Sequence, residues 1–281
     1  MKTILCIACG LMSSCYFPTD LPRTIDRYPL ATGNTWTYTR TFSTFNFRPA
    51  SPGATFRDTS IVSSVAVQIL GRETLQDSPL WKFRSEEHES GRPSFASYLF
   101  YRERGDSLIL AAYSGGSLFT PQQRLTDHAS SRYTLNGRSY LSFRELLNIS
   151  PEYFPVALTD SIYYEGLPVN VYVFPFSVGL EWQYRERGTA WRMNKRVTGT
   201  EAVRTVAGIF STYKIRWFWD MNDDGVWDTN IEAYDYVSTR GLMKRTFIFK
   251  DFAVTNASSP DSVIGYFDAK DEASLNSVDL H

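Results

Sequence analysis

The sequence predicts a mainly β protein of antiparallel strands with one or two short helices. Three observations carry this: period-two alternation of large and small side chains, turn signals between the alternating runs, and 15% aromatic residues alongside frequent Thr, Val and Ile.

The first alternating run places Trp36, Tyr38, Arg40 and Phe42 on one face and Thr35, Thr37, Thr39 and Thr41 on the other, the pattern of a strand with one buried side. The same period returns at Ile61, Val65, Val67 and Ile69; at Leu180, Trp182 and Tyr184; and at Tyr213, Ile215, Trp217 and Trp219. Asn136-Gly137 supplies the positive φ angles of a tight hairpin, and Arg104-Gly105-Asp106-Ser107 closes another. A short helix is expected where Phe143, Leu146 and Leu147 share a face, with Ser142 and Glu145 spaced as a capping box and Pro151 beyond. The polar, acidic stretch 269–281 reads as a frayed tail.

The N-terminal residues set the expected compartment. Lys2 precedes an apolar run, Thr3 to Met12, too short to span a bilayer, as in a signal peptide. Leu11-Met12-Ser13-Ser14-Cys15 then resembles the lipobox of bacterial lipoprotein precursors, in which cleavage leaves a cysteine that carries diacylglycerol and acyl chains such as palmitate. Cys9 is a competing site with a shorter apolar run, and an ordinary secretory peptide is the alternative. Cys6, Cys9 and Cys15 are all the cysteines, so a chain cut before Cys15 has no disulfide and must be held by its core. Tyr16, not Asp, follows Cys15, which points to the outer membrane. The expected organisation is 1–14 signal peptide, 15–27 lipidated tether with Pro18 and Pro22, 28–268 one β-rich domain, and 269–281 tail.

Without residues 1–14 the chain carries 28 Lys and Arg against 30 Asp and Glu, which gives no electrostatic case for nucleic acid. The membrane, reached through the lipid, is the expected partner.

One pattern occurs twice. Tyr28, Pro29, Gly33, Trp36 and Tyr38 match Phe174, Pro175, Gly179, Trp182 and Tyr184 in spacing. The proline sets an extended approach, the glycine permits a turn, and the two rings point into a core. These segments resemble a group of bacterial envelope lipoproteins with a PLxxGxxWxY opening, a V-A-G-x-F strand (Val206 to Phe210) and a strand like Gly241-Leu242-Met243-Lys244-Arg245. The resemblance covers roughly residues 28 to 250. It implies a curled antiparallel sheet of half-barrel shape, similar to the LolA-like lipoprotein carriers, whose concavity can shelter acyl chains.

Asp220, Asn222, Asp224, Gly225 and Asp228 place oxygen ligands at positions 1, 3, 5 and 9 of a loop with glycine at 6, and the Val226 carbonyl adds another, a spacing that suits Ca²⁺. Ile231 stands where a bidentate Glu is expected, and an acidic solvated turn is the competing reading. His88, His128 and His281 show no ligand spacing, and no serine sits in a GxSxG elbow. The clustered aromatics read mainly as core, with Phe218 and Trp227 off the apolar face. The expected function is non-enzymatic: an envelope protein that binds an apolar ligand or partner in a β concavity. The alternatives are a glycan- or protein-binding surface using exposed aromatics, and a hydrolase whose site has no recognisable motif. Calorimetry with millimolar calcium tests the loop: heat of binding is expected, and its absence would leave the acidic turn.

Overall fold

The computed structural model describes residues 24–91, 94–115, 131–140, 162–185, 192–256 and 259–281. The strands are β1 (Thr35–Pro49), β2 (Ser60–Leu75), β3 (Ser78–Glu89), β4 (Phe95–Arg104), β5 (Ser107–Gly115), β6 (Ser131–Leu135), β7 (Arg138–Tyr140), β8 (Ile162–Val173), β9 (Glu181–Arg185), β10 (Arg192–Thr205), β11 (Gly208–Asp220), β12 (Ile231–Ser238), β13 (Gly241–Asn256) and β14 (Ser259–Asp279). There is no helix among the described residues; the segment expected to be helical lies outside them, as does Cys15.

All the strands belong to one antiparallel sheet in the order β8-β5-β4-β3-β2-β1-β14-β13-β12-β11-β10-β9, with the β6–β7 hairpin attached to β13. The sheet curls into a nearly closed barrel. The first and last strands of the chain pair with each other, Thr35 opposite Asp279 and Phe42 opposite Asp271. The two edges, β8 and β9, therefore meet in mid-chain. Side chains bridge them: Trp182 Nε1 donates to Asn170 O at 2.9 Å, Asn170 Nδ2 to Gln183 O at 3.1 Å, and Arg185 pairs with Glu165 at 2.7 Å.

The stretch 269–281 is corrected by the structure: it is not a frayed tail but, as far as Asp279, the end of β14, paired with β1 throughout and with β13 up to Ser274, with Ala269, Asp271 and Leu275 buried. Its small and acidic inward residues hide the period-two signal. Asn136 and Gly137 take positive φ in the β6–β7 turn, as does Gly105 in the β4–β5 turn.

The echoed residues take matching conformations. Gly33 and Gly179 have φ of +96° and +94°. Gly33 N–H donates to Ile69 O and Ile69 N–H to Asn34 O, both at 2.9 Å; Gly179 N–H donates to Val197 O and Val197 N–H to Leu180 O, both at 2.8 Å. The equivalence continues beyond the sequence echo. The pairing slips between Ile69 and Gly71 opposite Phe83 and Lys82, and between Val197 and Gly199 opposite Ile215 and Lys214. On the outer face Lys82 pairs with Glu73 and lies 4.7 Å from the Tyr98 ring, while Lys214 pairs with Glu201 and lies 4.7 Å from the Tyr234 ring. Strands β1–β5 and β9–β13 are thus two copies of one unit.

Aromatic rings fill much of the interior, among them Trp36, Tyr184, Trp217, Trp219, Phe247, Phe252 and Phe267. Burying a ring contributes roughly 4–6 kcal/mol as an upper estimate, so such a core stabilises the barrel without disulfides. The lead-in to β1 plugs one end: Ile25 is buried, and Tyr28 stacks on Tyr172 and packs on Trp36 and Phe83. Trp36 Nε1 donates to Arg240 O at 2.7 Å, and a Cβ on Gly241 would lie 3.0 Å from both Trp36 Nε1 and Tyr28 Oη at φ +98°. The substitution Gly241→Ala is therefore expected to destabilise the fold by about 2 kcal/mol, read as a lower denaturation midpoint.

Candidate functional site

A row of charged side chains crosses the barrel interior. Asp235 on β12 is opposite Arg245 on β13, Arg245 opposite Ala273 on β14, Ala273 opposite Arg40 on β1, and Arg40 opposite Ser63 on β2. Directly opposed residues share a face, so all five point inward. Arg40 binds Asp271 with Nε and Nη2 at 2.9 and 2.8 Å and reaches Glu87 at 3.4 Å.

Around Asp235 the charges are fully enclosed. Arg245 donates to both its oxygens, Nε at 2.6 Å and Nη2 at 3.1 Å, and Lys195 Nζ donates to Oδ2 at 3.3 Å. Lys195 is 0% exposed and sits among rings, 3.7 Å from the Trp217 centroid, 4.6 Å from Tyr184 and 4.8 Å from Tyr172. It also donates to Val171 O at 3.1 Å, reaching from β10 past β9 to β8. The β5–β8 ladder skips Val171, and its carbonyl is turned to this ammonium. Lys195 so spans the seam from inside. Burial pushes the Asp235 carboxyl up, but the guanidinium of Arg245 and the ammonium of Lys195 outweigh it and hold the group below its ordinary value.

The repeat shows that the fold does not require these charges. Val67, Leu99 and Tyr113 occupy the positions of Lys195, Asp235 and Arg245 in the first copy, as the ladders place Ile69 with Phe83, Phe83 with Leu99 and Leu99 with Tyr113. The corresponding ladder in the second copy runs Val197, Ile215, Asp235, Arg245.

Beside this cluster lies a cavity of about 80 Å³. Phe83, Leu99, Tyr101, Leu108 and Val171 supply apolar wall, Tyr38, Ser85 and Arg245 polar groups, and Tyr28 of the lead-in segment one side. Sequence reading missed Lys195, Asp235 and Arg245. Their signal was an ionisable residue at the inward position of an apolar alternation: Met193-Lys195-Val197, Ala233-Asp235-Val237, Met243-Arg245-Phe247.

The acidic hairpin is built around Asp220. Its Oδ1 accepts Asp224 N–H and its Oδ2 accepts Gly225 N–H, both at 3.0 Å, while Arg192 Nη2 reaches Asp220 Oδ2 at 3.1 Å and Gly225 O at 3.0 Å. Asp224 Oδ1 accepts Val226 N–H and Asp228 Oδ2 accepts Met221 N–H, each at 2.8 Å; Asn222 Nδ2 donates to Asp224 Oδ2 at 2.9 Å. Burial, with Asp220 and Asp224 nearby, pushes the Asp228 carboxyl up, whereas the Val226 N–H and Asn222 hold Asp224 down. The carboxylates thus cap loop N–H groups, and a guanidinium brings positive charge into the loop. Among the described residues no three His, Cys, Asp or Glu side chains form a metal-holding group. His88 is exposed beside Ser94, His281 is exposed at the chain end, and His128 lies outside the described residues.

The buried trio gives a prediction. Asp235→Asn is expected to cost about 3–5 kcal/mol, because two cations lose their carboxylate, whereas K195V/D235L/R245Y, which installs the residues of the first copy, is expected to be no less stable than the parent. Since the folded Asp235 lies below its unfolded value of 3.8, its stabilisation is present above about pH 4 and disappears as pH falls through the folded value. The parent should lose stability relative to the triple variant below about pH 4, measured by denaturation across pH.

No protein-family model and no curated relative matches the chain. Among solved structures it is similar to a protein proposed to be exported, with a YmcC-like fold, from Bacteroides fragilis: 11% identity, TM-score 0.33, covering 90% of this chain and 98% of that one. It is also similar to a proposed lipoprotein from Parabacteroides distasonis: 12% identity, TM-score 0.33, covering 92% of this chain and 100% of that one.

Proposed function

We propose that the protein is a non-enzymatic, lipid-anchored protein of the bacterial envelope, held to the outer membrane through Cys15, that takes an apolar ligand into the barrel interior. The observation that carries the ligand reading is the aromatic-walled cavity with Arg245, Ser85 and Tyr38 on its wall. An apolar surface with a few placed polar groups is the usual make-up of a small-molecule site. The cavity as it stands is below the roughly 300 Å³ of ordinary ligand pockets. Tyr28 bounds it from a segment outside the sheet, so enlarging it breaks no strand pairing. The anchor reading is supported by the short apolar run ending in Leu11-Met12-Ser13-Ser14-Cys15 and by the confinement of every cysteine to that segment.

Two measurements test this. Mass spectrometry of the native protein is expected to show a chain beginning at an acylated Cys15; a chain still beginning at Met1 without acyl mass would remove the anchor. Fluorescence titration with a hydrophobic dye or a fatty acid is expected to show binding that Tyr28→Ala strengthens and Ala273→Leu weakens severalfold. Identical behaviour of parent and both variants would sink the interior site.

A further inference from the structure

The outer face of β10 and β11 carries an arrangement that neither the barrel nor its interior needs. Arg196 and Arg216 are directly opposite each other. Like charges so placed are unfavourable. Both guanidinium groups lie on the Phe218 ring, at 5.2 and 4.9 Å from its centroid. Phe218 packs 5.9 Å from Trp227, and Arg192 lies 4.1 Å from the Trp227 centroid. Glu181 pairs with Arg196, Asp220 with Arg192 and Glu201 with Lys214. Arg216 meets no carboxylate among the described residues, and its Nε is buried without a hydrogen-bond partner.

The first copy shows what this face is without a further role. Arg84 stands where Arg216 does, but faces Gln68 across the strands and is paired with Glu86 at 2.9 Å. In the second copy the Gln position is Arg196 and the Glu position is Phe218. The exchange adds a guanidinium, removes a carboxylate and places a partly exposed ring against both arginines. Arg196 is compensated by Glu181, but Arg216 stands beside a second guanidinium without the carboxylate that its counterpart Arg84 has.

We infer that this face binds an acidic polysaccharide. Two guanidinium groups on neighbouring strands match a carboxylate between them. Phe218 and Trp227 offer apolar ring surface to the C–H faces of adjoining sugars. Lys214 and Arg216 stand two residues apart along β11, about 7 Å, and Arg192 and Arg196 four residues apart along β10, about 14 Å, all on the outward side, so the cations follow a line that an extended polymer can track. Isolated phosphate or a single sugar acid would use only one step of this line.

The test is calorimetric titration of the full chain, and of R196Q/F218E, with oligogalacturonate, a neutral dextran oligomer and poly-glutamate. The double variant installs the first-copy residues and gives Arg216 a carboxylate partner, so its melting temperature is expected to be unchanged or higher. The parent is expected to bind oligogalacturonate at least about tenfold more tightly than poly-glutamate, with no heat from dextran and with affinity falling as salt rises. The double variant is expected to lose about tenfold or more of that affinity. Equal binding of poly-glutamate would overturn the polysaccharide assignment in favour of bare charge. Absence of oligogalacturonate binding, or binding that the double variant retains, would overturn the site itself. Dye binding in the barrel interior is unaffected by either result.

Discussion

The pairing of β1 with β14 is the constraint from which the rest of the architecture follows. It joins the two ends of the chain into one ladder, so that two five-strand units become a single curled sheet. With the chain ends used for closure, the remaining gap must fall between the units, at β8 and β9. There a short β9 meets a β8 whose ladder skips Val171, and closure passes to side chains: the Trp182 indole, the Asn170 amide, the Arg185–Glu165 pair and, from inside, Lys195.

The two copies serve as an internal control. Where they agree, the residues answer to the fold: the positive-φ glycine, the inward Trp and Tyr, the slipped pairing before Gly71 and Gly199, and the outer Glu–Lys–Tyr set. Where they differ, folding is satisfied by either choice, and another demand has decided. Among such differences in the second copy are Lys195, Asp235 and Arg245 inside and Arg196 and Phe218 outside. A buried ion cluster is weak evidence for stability in any case, since well-packed apolar residues commonly do as well.

Much of the fold was legible because alternation and turn chemistry are local. Trp36 to Phe42, Tyr213 to Trp219 and the Asn136-Gly137 turn each announce themselves within a few residues. Strand β14 was not, because Asp271 and Ala273 face inward against arginines and give no apolar period. The site was legible only in part. The acidic hairpin has a spacing that can be read along the chain, whereas Lys195, Asp235 and Arg245 lie forty and ten residues apart and meet only through the register of three ladders. The echo pointed to the comparison that identifies them, but connections of differing length between the strands break the alignment before it reaches those positions: Gly33 precedes its partner Ile69 by 36 residues and Gly179 its partner Val197 by 18.

The mid-chain seam has a consequence for the protein's solubility. An open sheet of this length would present two rows of bare backbone donors and acceptors, each a template on which another chain could aggregate. Here the two rows face each other across side-chain bridges, so each edge is shielded by its counterpart. Protection against fibril-like growth is therefore a by-product of where the barrel fails to close.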